Sequence, residues 1–433
     1  MRRGDPQLRF RAASADDALA MAELSLRAYP RNGDSAASRA QAYGQSVWFS
    51  PPDYTLALRT GVPGHVGQFL TLPFGASFGG VRASAGGLAS VATAPEARRT
   101  GVASAMVARH LDQLAEHDVA WALLYPYSPR FYATQGWAPM ARLLRWHLTP
   151  TELPLCPERA RVRTLSPSDA SDLGRIQRAY ERHCGRENGS LSRTPRQLAA
   201  RLKTSHVVGV QGDHVTDELS GYMIYELRSP TPHPLTMVVH ELVAEDAAAT
   251  RALAGFLAAQ DAQVEQLELD LPEHHALPAL MNRGLPPLED PVHMPNEHHL
   301  VARLFTGAMV RVVHLARALE GRGYPGLAAL TPGLPAAPAS GRISVVASDA
   351  LLPHNQQPIT LSVDAGSARI SPGHSPGVPL LSGPIATLSA VLAGALRLAT
   401  AVHLGQLTLE AGARLHELDA LLALPPPAPL ITF

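Results

Sequence analysis

Apolar positions recur along the chain in short runs that alternate between strand-like and helical spacing. Leu8 to Ala12 reads as a first strand, followed by a helix from about Asp16 to Tyr29 with Ala18, Met21, Ala22, Leu24 and Ala28 as apolar positions. Ser14 and Asp17 have the spacing of a capping box. Tyr54 to Arg59, Val66 to Phe78 and Leu88 to Thr93 read as strands separated by glycine and proline turns. After Gly101, Val102, Met106, Val107, Leu111 and Leu114 fall near one helical face, and Val119 to Tyr125 is again strand-like. Strand, helix and strand in this order predict a mixed α/β domain over residues 1–148.

Three prolines between Thr149 and Arg159 interrupt the pattern, and a second α/β unit is expected over 149–298. Its helices fall near Ser168 to Arg182, Thr194 to Leu202 and Asp246 to Ala262. Its strands fall near Val207 to Val210, Ser220 to Leu227, Pro234 to Val243 and Leu267 to Leu271. A third region, 299–433, begins with a strand at Leu300 to Leu304 and a helix at Val310 to Gly321, before a Pro-, Gly- and Ala-rich loop from Tyr324 to Gly341. Strands at Ile343 to Ala347, Ile359 to Val363 and Ala368 to Ile370, with Asp364-Ala365-Gly366 as a turn, precede helices at Ile385 to Leu396 and Ala411 to Leu422. The sequence ends on the apolar Pro429-Leu430-Ile431-Thr432-Phe433, where polar, frayed residues are the rule.

Length and composition narrow the picture. The 433 residues exceed one ordinary core and fit about three domains at roughly 100 to 200 residues each. Lys plus Arg, 37, balances Asp plus Glu, 37, so no global basic field is available for nucleic acid or an anionic membrane. Two cysteines, Cys156 and Cys184, are too few for a disulfide scaffold and read as free thiols in a reducing compartment. Met1 to Phe10 is charged and lacks the apolar core of a signal peptide, and the uncharged run from Ser375 to Leu396 is broken by prolines and glycines. The expectation is a cytoplasmic protein without a membrane span.

Candidate chemistry concentrates between Val91 and Trp137. The strand ending in Val91-Ala92-Thr93 leads into Arg98-Arg99-Thr100-Gly101-Val102-Ala103-Ser104 and then a helix. Gly101 allows close approach and Ala103 keeps the first turn small, so consecutive N–H groups can face phosphate oxygens, with arginines adding charge-assisted bonds. Tyr132, four residues before Gly136, offers a phenol that is protonated at neutral pH and can give its proton to a departing thiolate. Tyr125 and Tyr127 are alternatives. The adjacent pairs His274-His275 and His298-His299 point different ways on a helix or a strand, and no metal site is expected from them. Asp16-Asp17 reads as a helix-start pair, and Glu23 and Asp34 are weak candidates for an amine-binding cleft.

These features resemble the GNAT family of acetyl-CoA-dependent N-acetyltransferases, and the three-part layout resembles the Eis (enhanced intracellular survival) aminoglycoside acetyltransferases. VATAPEARRTG, RFYATQGWAPM, SGYMIYELR, HELVAEDAAATRALAGFLAAQDA, VRVVHLARALEGRGY and LHELDALLALPPPAPLITF carry the resemblance across nearly the whole chain. It implies two tandem GNAT-like acyl-CoA N-acyltransferase domains followed by a sterol-carrier-like α/β domain, an α+β architecture. It further implies a catalytic domain over 1–148, a second GNAT-like domain over 149–298 lacking the pyrophosphate turn, and a sterol-carrier-like domain over 299–433 whose C-terminus completes the site. Val91, Ala92 and Thr93 would line the pantetheine of acetyl-CoA, the cosubstrate. Arg99 to Ser104, assisted by Arg98, would hold the pyrophosphate, with Tyr127 and Ser128 completing the pocket. Here that loop reads YSPRFY, where the family more often has a serine, an acidic residue and glycines. Tyr132 takes the general-acid position and the α-carboxylate of Phe433 the base position, with Thr432 standing where the family often has an acidic residue. The implied acceptor is a polycationic amine, aminoglycoside-like or lysine-like, and the implied assembly a homo-oligomer, a hexamer. The competing expectation is a binding module whose sterol-carrier-like domain holds an apolar ligand.

Overall fold

The computed structural model describes residues 7–30, 33–212, 218–229, 235–281, 302–326, 339–410 and 412–430. The chain divides into two compact units, one of Met1–Met140, Glu187–Ser192 and Ala308–Phe433, the other of Ala141–Arg186 and Arg193–Gly307. The first unit opens with β1 (Leu8–Ala12), α1 (Ala18–Ala28), α2 (Ala36–Gln45), β2 (Tyr54–Arg59), β3 (Gly67–Phe78) and β4 (Val81–Thr93). It continues with α3 (Val102–Glu116), β5 (Trp121–Leu124), α4 (Pro129–Ala133) and β6 (Ala138–Pro139). The expected capping box forms, with the Ser14 backbone N–H donating to Asp17 at 2.8 Å. Because side chains alternate along a strand, the sheet is covered on both faces. Met21 and Ala22 of α1 and Tyr43 of α2 pack with Tyr54, Leu56, Leu70 and Leu72. Met106, Val107 and Leu111 of α3 pack with Ala57, Phe69, Leu88 and Leu124.

The second unit contains β7 (Arg142–Leu148), β8 (Val162–Thr164), α5 (Ala170–Arg186), α6 (Pro195–Leu202), β9 (His206–Gln211) and β10 (Leu219–Arg228). It then adds β11 (Leu235–Ala244), α7 (Ala247–Ala258), β12 (Val264–Pro272) and β13 (Ala302–Thr306). Its sheet runs β13-β7-β12-β11-β10-β9-β8. β7, from the end of the expected first region and not read as a strand in the sequence, therefore pairs in the second sheet, as does β13, where a strand was expected at the opening of the third. The buried face of α7, from Ala249 to Ala258, is almost all alanine and leucine, which lets it lie close against the strands.

Returning to the first unit, β14 (Met309–Val312) inserts between β5 and β6, giving the order β1-β2-β3-β4-β5-β14-β6. This corrects the helix expected from Val310 to Gly321. The run Val310-Arg311-Val312-Val313 is too short for periodicity to separate strand from helix, and the open edge of β5 takes it as a strand. The helix that does form is α8 (Leu315–Glu320). A third sheet follows from β15 (Gly341–Ser348), β16 (Ile359–Asp364), β17 (Ser367–Pro372), β18 (Leu380–Pro384) and β19 (Thr408–Leu409), in the order β17-β16-β15-β18-β19. Ala365 and Gly366 both have positive φ, as a two-residue hairpin turn requires, so the turn expected at 364–366 joins β16 to β17. The remaining helices are α9 (Ile385–Leu392), α10 (Leu398–His403) and α11 (Leu415–Leu422). Within this unit Val310 and Val312 share one core with Phe78, Trp121, Val345, Leu388 and Leu421, so the third sheet and the first are built on common apolar ground.

Candidate active site

β4 and β5 are parallel neighbours only from Ala85 opposite Trp121 to Leu88 opposite Leu124, whereas β4 runs on to Thr93. Just past that point β4 bulges: Leu70 pairs with Ala89 and Gln68 with Ala92, leaving Ser90 and Val91 opposite the single residue Phe69. Ser90 takes φ 51°, an uncommon left-handed conformation for a residue other than glycine. A bulge bends its strand and re-aims the side chains it carries. The Ser90 side chain hydrogen-bonds Tyr54. Val91, Ala92 and Thr93 thus lie on a strand whose β5-facing edge has lost its neighbour, which leaves backbone groups for an extended ligand.

The chain then turns into α3. Arg99 (φ 62°) and Gly101 (φ 90°) are both left-handed, and a Cβ on Gly101 would meet nothing within 4 Å, so the turn faces open space. The first helical bond is Ala105 N–H to Gly101 O at 3.0 Å, which leaves the N–H groups of Val102, Ala103 and Ser104 ahead of the ladder. Arg98, Arg99 and Thr100 are exposed; the Thr100 hydroxyl donates to Ala97 O at 2.7 Å and accepts from Arg59 at 2.8 Å. A left-handed turn, successive unused N–H groups and flanking guanidiniums fit a pyrophosphate.

Tyr132 lies in α4, which starts after Ser128, with its ring against Phe131 and Trp137 at centroid distances of 5.0 and 6.3 Å. Burial, with a smaller contribution from the Tyr29 phenol, pushes its pKa up to about 12. A group so shifted stays protonated through neutral pH. Tyr127 is 91% exposed. Tyr29, which the sequence reasoning missed, ties the parts together: at the end of α1 its hydroxyl donates to Val91 O, and its phenol is electrostatically coupled to Tyr127 and Tyr132. Its only sequence signal is a phenol at the end of an amphipathic helix. Phe433 and Thr432 lie outside the described residues. The tail leading to them is anchored by Ala428 N–H donating to Asn188 O at 2.7 Å, with Ala423, Leu424 and Ala428 buried.

The second unit repeats the frame with different contents. β11 and β12 are its parallel pair, and β11 bulges at His240. Beside that bulge Glu241 is fully buried and ion-paired with Arg193 at 2.8 Å, accepts from the Tyr222 hydroxyl, and Arg193 stacks on Tyr180 at 3.8 Å. The start of α7 is closed by its own Asp246 carboxylate, which accepts from Ala249 N–H at 2.7 Å. An anion stands where a phosphate would have to go.

Comparison with known families agrees with this duplicated frame. Models of the acetyltransferase (GNAT) domain match residues 9–140 and 178–312, and a sterol carrier protein domain matches 315–431. The chain carries two GNAT domains and a sterol carrier domain. Solved GNAT structures similar to it include a GCN5-related N-acetyltransferase from Anabaena variabilis, with TM-score 0.81 and 19% identity over 98% of this chain and 100% of that one. A GCN5-related N-acetyltransferase from Kribbella flavida has TM-score 0.78 and 19% identity over 98% of each chain. Eis1 from Mycobacterium abscessus has TM-score 0.72 and 21% identity over 98% of this chain and 100% of that one. Among curated proteins none matches the sequence. GNAT domains use acetyl-CoA, and the first of the two here has the bulge and the turn that fit it. No helix among the described residues is long and apolar enough to cross a membrane, and no group of three or more His, Cys, Asp or Glu among them could hold a metal ion. Cys156 and Cys184 are free and buried.

Proposed function

We propose that the protein is an acetyl-CoA-dependent N-acetyltransferase whose single active site lies in the first GNAT domain. The observation that carries this reading is the set of the β4 bulge, the left-handed turn at the start of α3 and the buried Tyr132 phenol, with Tyr29 linking the first to the last. Val91 to Thr93 hold the pantetheine by their backbone, Arg99 to Ser104 with Arg98 hold the pyrophosphate, and Tyr127 and Ser128 border the pocket. Bound there, acetyl-CoA supplies a thioester that an amine attacks directly, forming the C–N bond as the C–S bond breaks. Tyr132 gives its proton to the departing sulfur. The α-carboxylate of Phe433 takes the proton the amine loses; with an ordinary pKa of roughly 3.3 to 3.7 it needs partial burial or a water relay to do so. No cysteine nucleophile takes part.

The second GNAT domain, in this reading, binds no cosubstrate, because the Arg193–Glu241 pair and the Asp246 cap occupy the corresponding places. The resemblance to the Eis family supports a polycationic acceptor, aminoglycoside-like or lysine-like, and a hexameric assembly, and the two free cysteines fit a cytoplasmic location. The direct test is to mix the protein with acetyl-CoA and a panel of amines, including aminoglycosides, polyamines and lysine peptides, while following free thiol release. Turnover with at least one amine is expected, and turnover with none overturns the enzyme reading. Extending the chain by a few residues past Phe433 should abolish turnover while the circular dichroism stays unchanged. Full activity in that variant removes the carboxylate from the mechanism.

A further inference from the structure

Arg311 of β14 is buried and reaches the turn that follows Tyr132. Its Nε donates to Gln135 O at 3.1 Å, Nη1 to Val312 O at 2.9 Å and Nη2 to Asp349 Oδ1 at 2.7 Å. Asp349, just past β15, is itself fixed: its carboxylate accepts from Leu351 N–H and Leu352 N–H at 3.0 Å and from Asn355 Nδ2 at 3.0 Å. The turn that Arg311 holds is short. Gln135 N–H and Trp137 N–H both donate to Tyr132 O, at 2.9 and 3.2 Å, and Gly136 between them has φ 85°. A Cβ on Gly136 would lie 3.0 Å from Arg311 Nε, so glycine is what allows the guanidinium to approach. On its other side, Gln135 Nε2 lies 3.4 Å from Ser104 Oγ, in the first turn of α3.

A buried ion pair is weak grounds for stability, since well-packed apolar residues often serve as well or better. What an apolar residue cannot do is hold a carbonyl in place while being held by a carboxylate from another element. We propose that Arg311, clamped by Asp349, is a positioning residue that fixes the Tyr132–Gly136 turn and thereby aims the Tyr132 phenol. The inference rests on Tyr132 being the general acid. It gives β14, at the end of the second GNAT match, and the loop after β15 a part in the acetyltransferase site although neither touches the reacting atoms.

The test uses the full chain and four proteins: wild type, R311K, Y132F and the double variant. A lysine can reach Asp349 but cannot also supply the Nε–H to Gln135 O. Misplacement by about 1 Å costs on the order of a hundredfold in rate, so R311K should lower kcat roughly 10- to 100-fold. The KM for acetyl-CoA should stay within about threefold, because the backbone of the turn that binds it is unchanged. In the Y132F background the same substitution should have little further effect, since the group it aims is gone. If R311K does not fold, D349N, which keeps an acceptor oxygen but loses the charge, is read in the same way. A folded R311K with wild-type kcat alongside a crippled Y132F overturns the positioning role alone. An R311K loss that persists undiminished in Y132F also overturns it. A fully active Y132F overturns the general-acid reading, and with it the aiming of that phenol.

Discussion

The Tyr132 phenol is buried among Phe131 and Trp137, and burial pushes its pKa up to about 12, so it stays protonated across the physiological range, as the proposed general acid must. Replacing it with phenylalanine keeps the ring packing and removes only the hydroxyl. Y132F is therefore expected to lower kcat by about 10²-fold or more, the usual worth of a general acid. The KM for acetyl-CoA should change little. Wild-type kcat should show no basic limb from this group below about pH 11, and a limb near pH 8 would point to another acid. Tyr29 makes a second, separable prediction. Its hydroxyl holds Val91 O, a carbonyl on the strand proposed to bind pantetheine, and so competes with the ligand for it. Losing one such bond is worth about 1 kcal/mol, and Y29F should lower the Kd of coenzyme A up to fivefold in calorimetry. A weaker Kd would make Tyr29 a ligand contact rather than a competitor. The turn around Gly101 was legible in sequence as a helix start, because a glycine between a strand and an amphipathic run marks one, though the short glycine pattern alone does not specify a ligand. Tyr29 was not, since its partner lies 62 residues away and no local pattern marks the approach.

At the scale of elements, α3 carries both the proposed cofactor turn and a polar residue in its apolar face. His110 is fully buried, its Nδ1 bonded to the Thr71 hydroxyl at 2.9 Å, and burial drives its pKa from 6.5 to about 3. The folded chain holds this imidazole neutral, while the unfolded chain takes up a proton below about pH 6.5. Stability from this group is thus complete above pH 6.5 and is lost as the pH falls toward 3. Between pH 6.5 and 4.5 the loss is on the order of 3 kcal/mol. Urea midpoints measured across that range should fall steeply for the wild type and much less for H110L; parallel slopes would show that other groups govern the acid limb. Sequence periodicity located α3, α7 and β10 close to their observed bounds, because each is long enough to repeat its pattern. It missed α2, whose AASRAQAYGQ has a single buried residue, and it took β14 for part of a helix. Both are decided by neighbours: α2 by the aromatic cluster of Tyr43, Phe49 and Tyr54, β14 by the open edge of β5.

At the scale of the whole molecule, the first unit is assembled from three separate stretches of chain, and Asn188 is where they meet. Its Oδ1 accepts from Gly79 N–H at 3.1 Å, after β3, and its Nδ2 donates to Ala393 O at 2.8 Å, after α9, and to Pro425 O at 2.6 Å in the C-terminal tail. Its backbone O holds Ala428 N–H. Gly189 beside it, at φ 78°, lies so close to Pro427 that a Cβ would approach to 2.7 Å. A hexapeptide from the middle of the sequence thus fastens the tail that is proposed to bring the Phe433 carboxylate to the first GNAT domain. N188A strands one buried donor and two buried acceptors and should cost about 3 kcal/mol, a fall in Tm of roughly 5 to 10 °C. N188D is the sharper variant. It can still accept from Gly79, but it loses the donors to Ala393 and Pro425 and sets a carboxylate against two carbonyls. If the tail carries the base, N188D should lower kcat and expose the residues after Leu422 to protease, while the Kd for coenzyme A, proposed to rest on β4 and α3, stays within about twofold. Unchanged kcat in an N188D protein whose tail is cleaved early would separate the tail from catalysis and leave Asn188 a purely structural fastening.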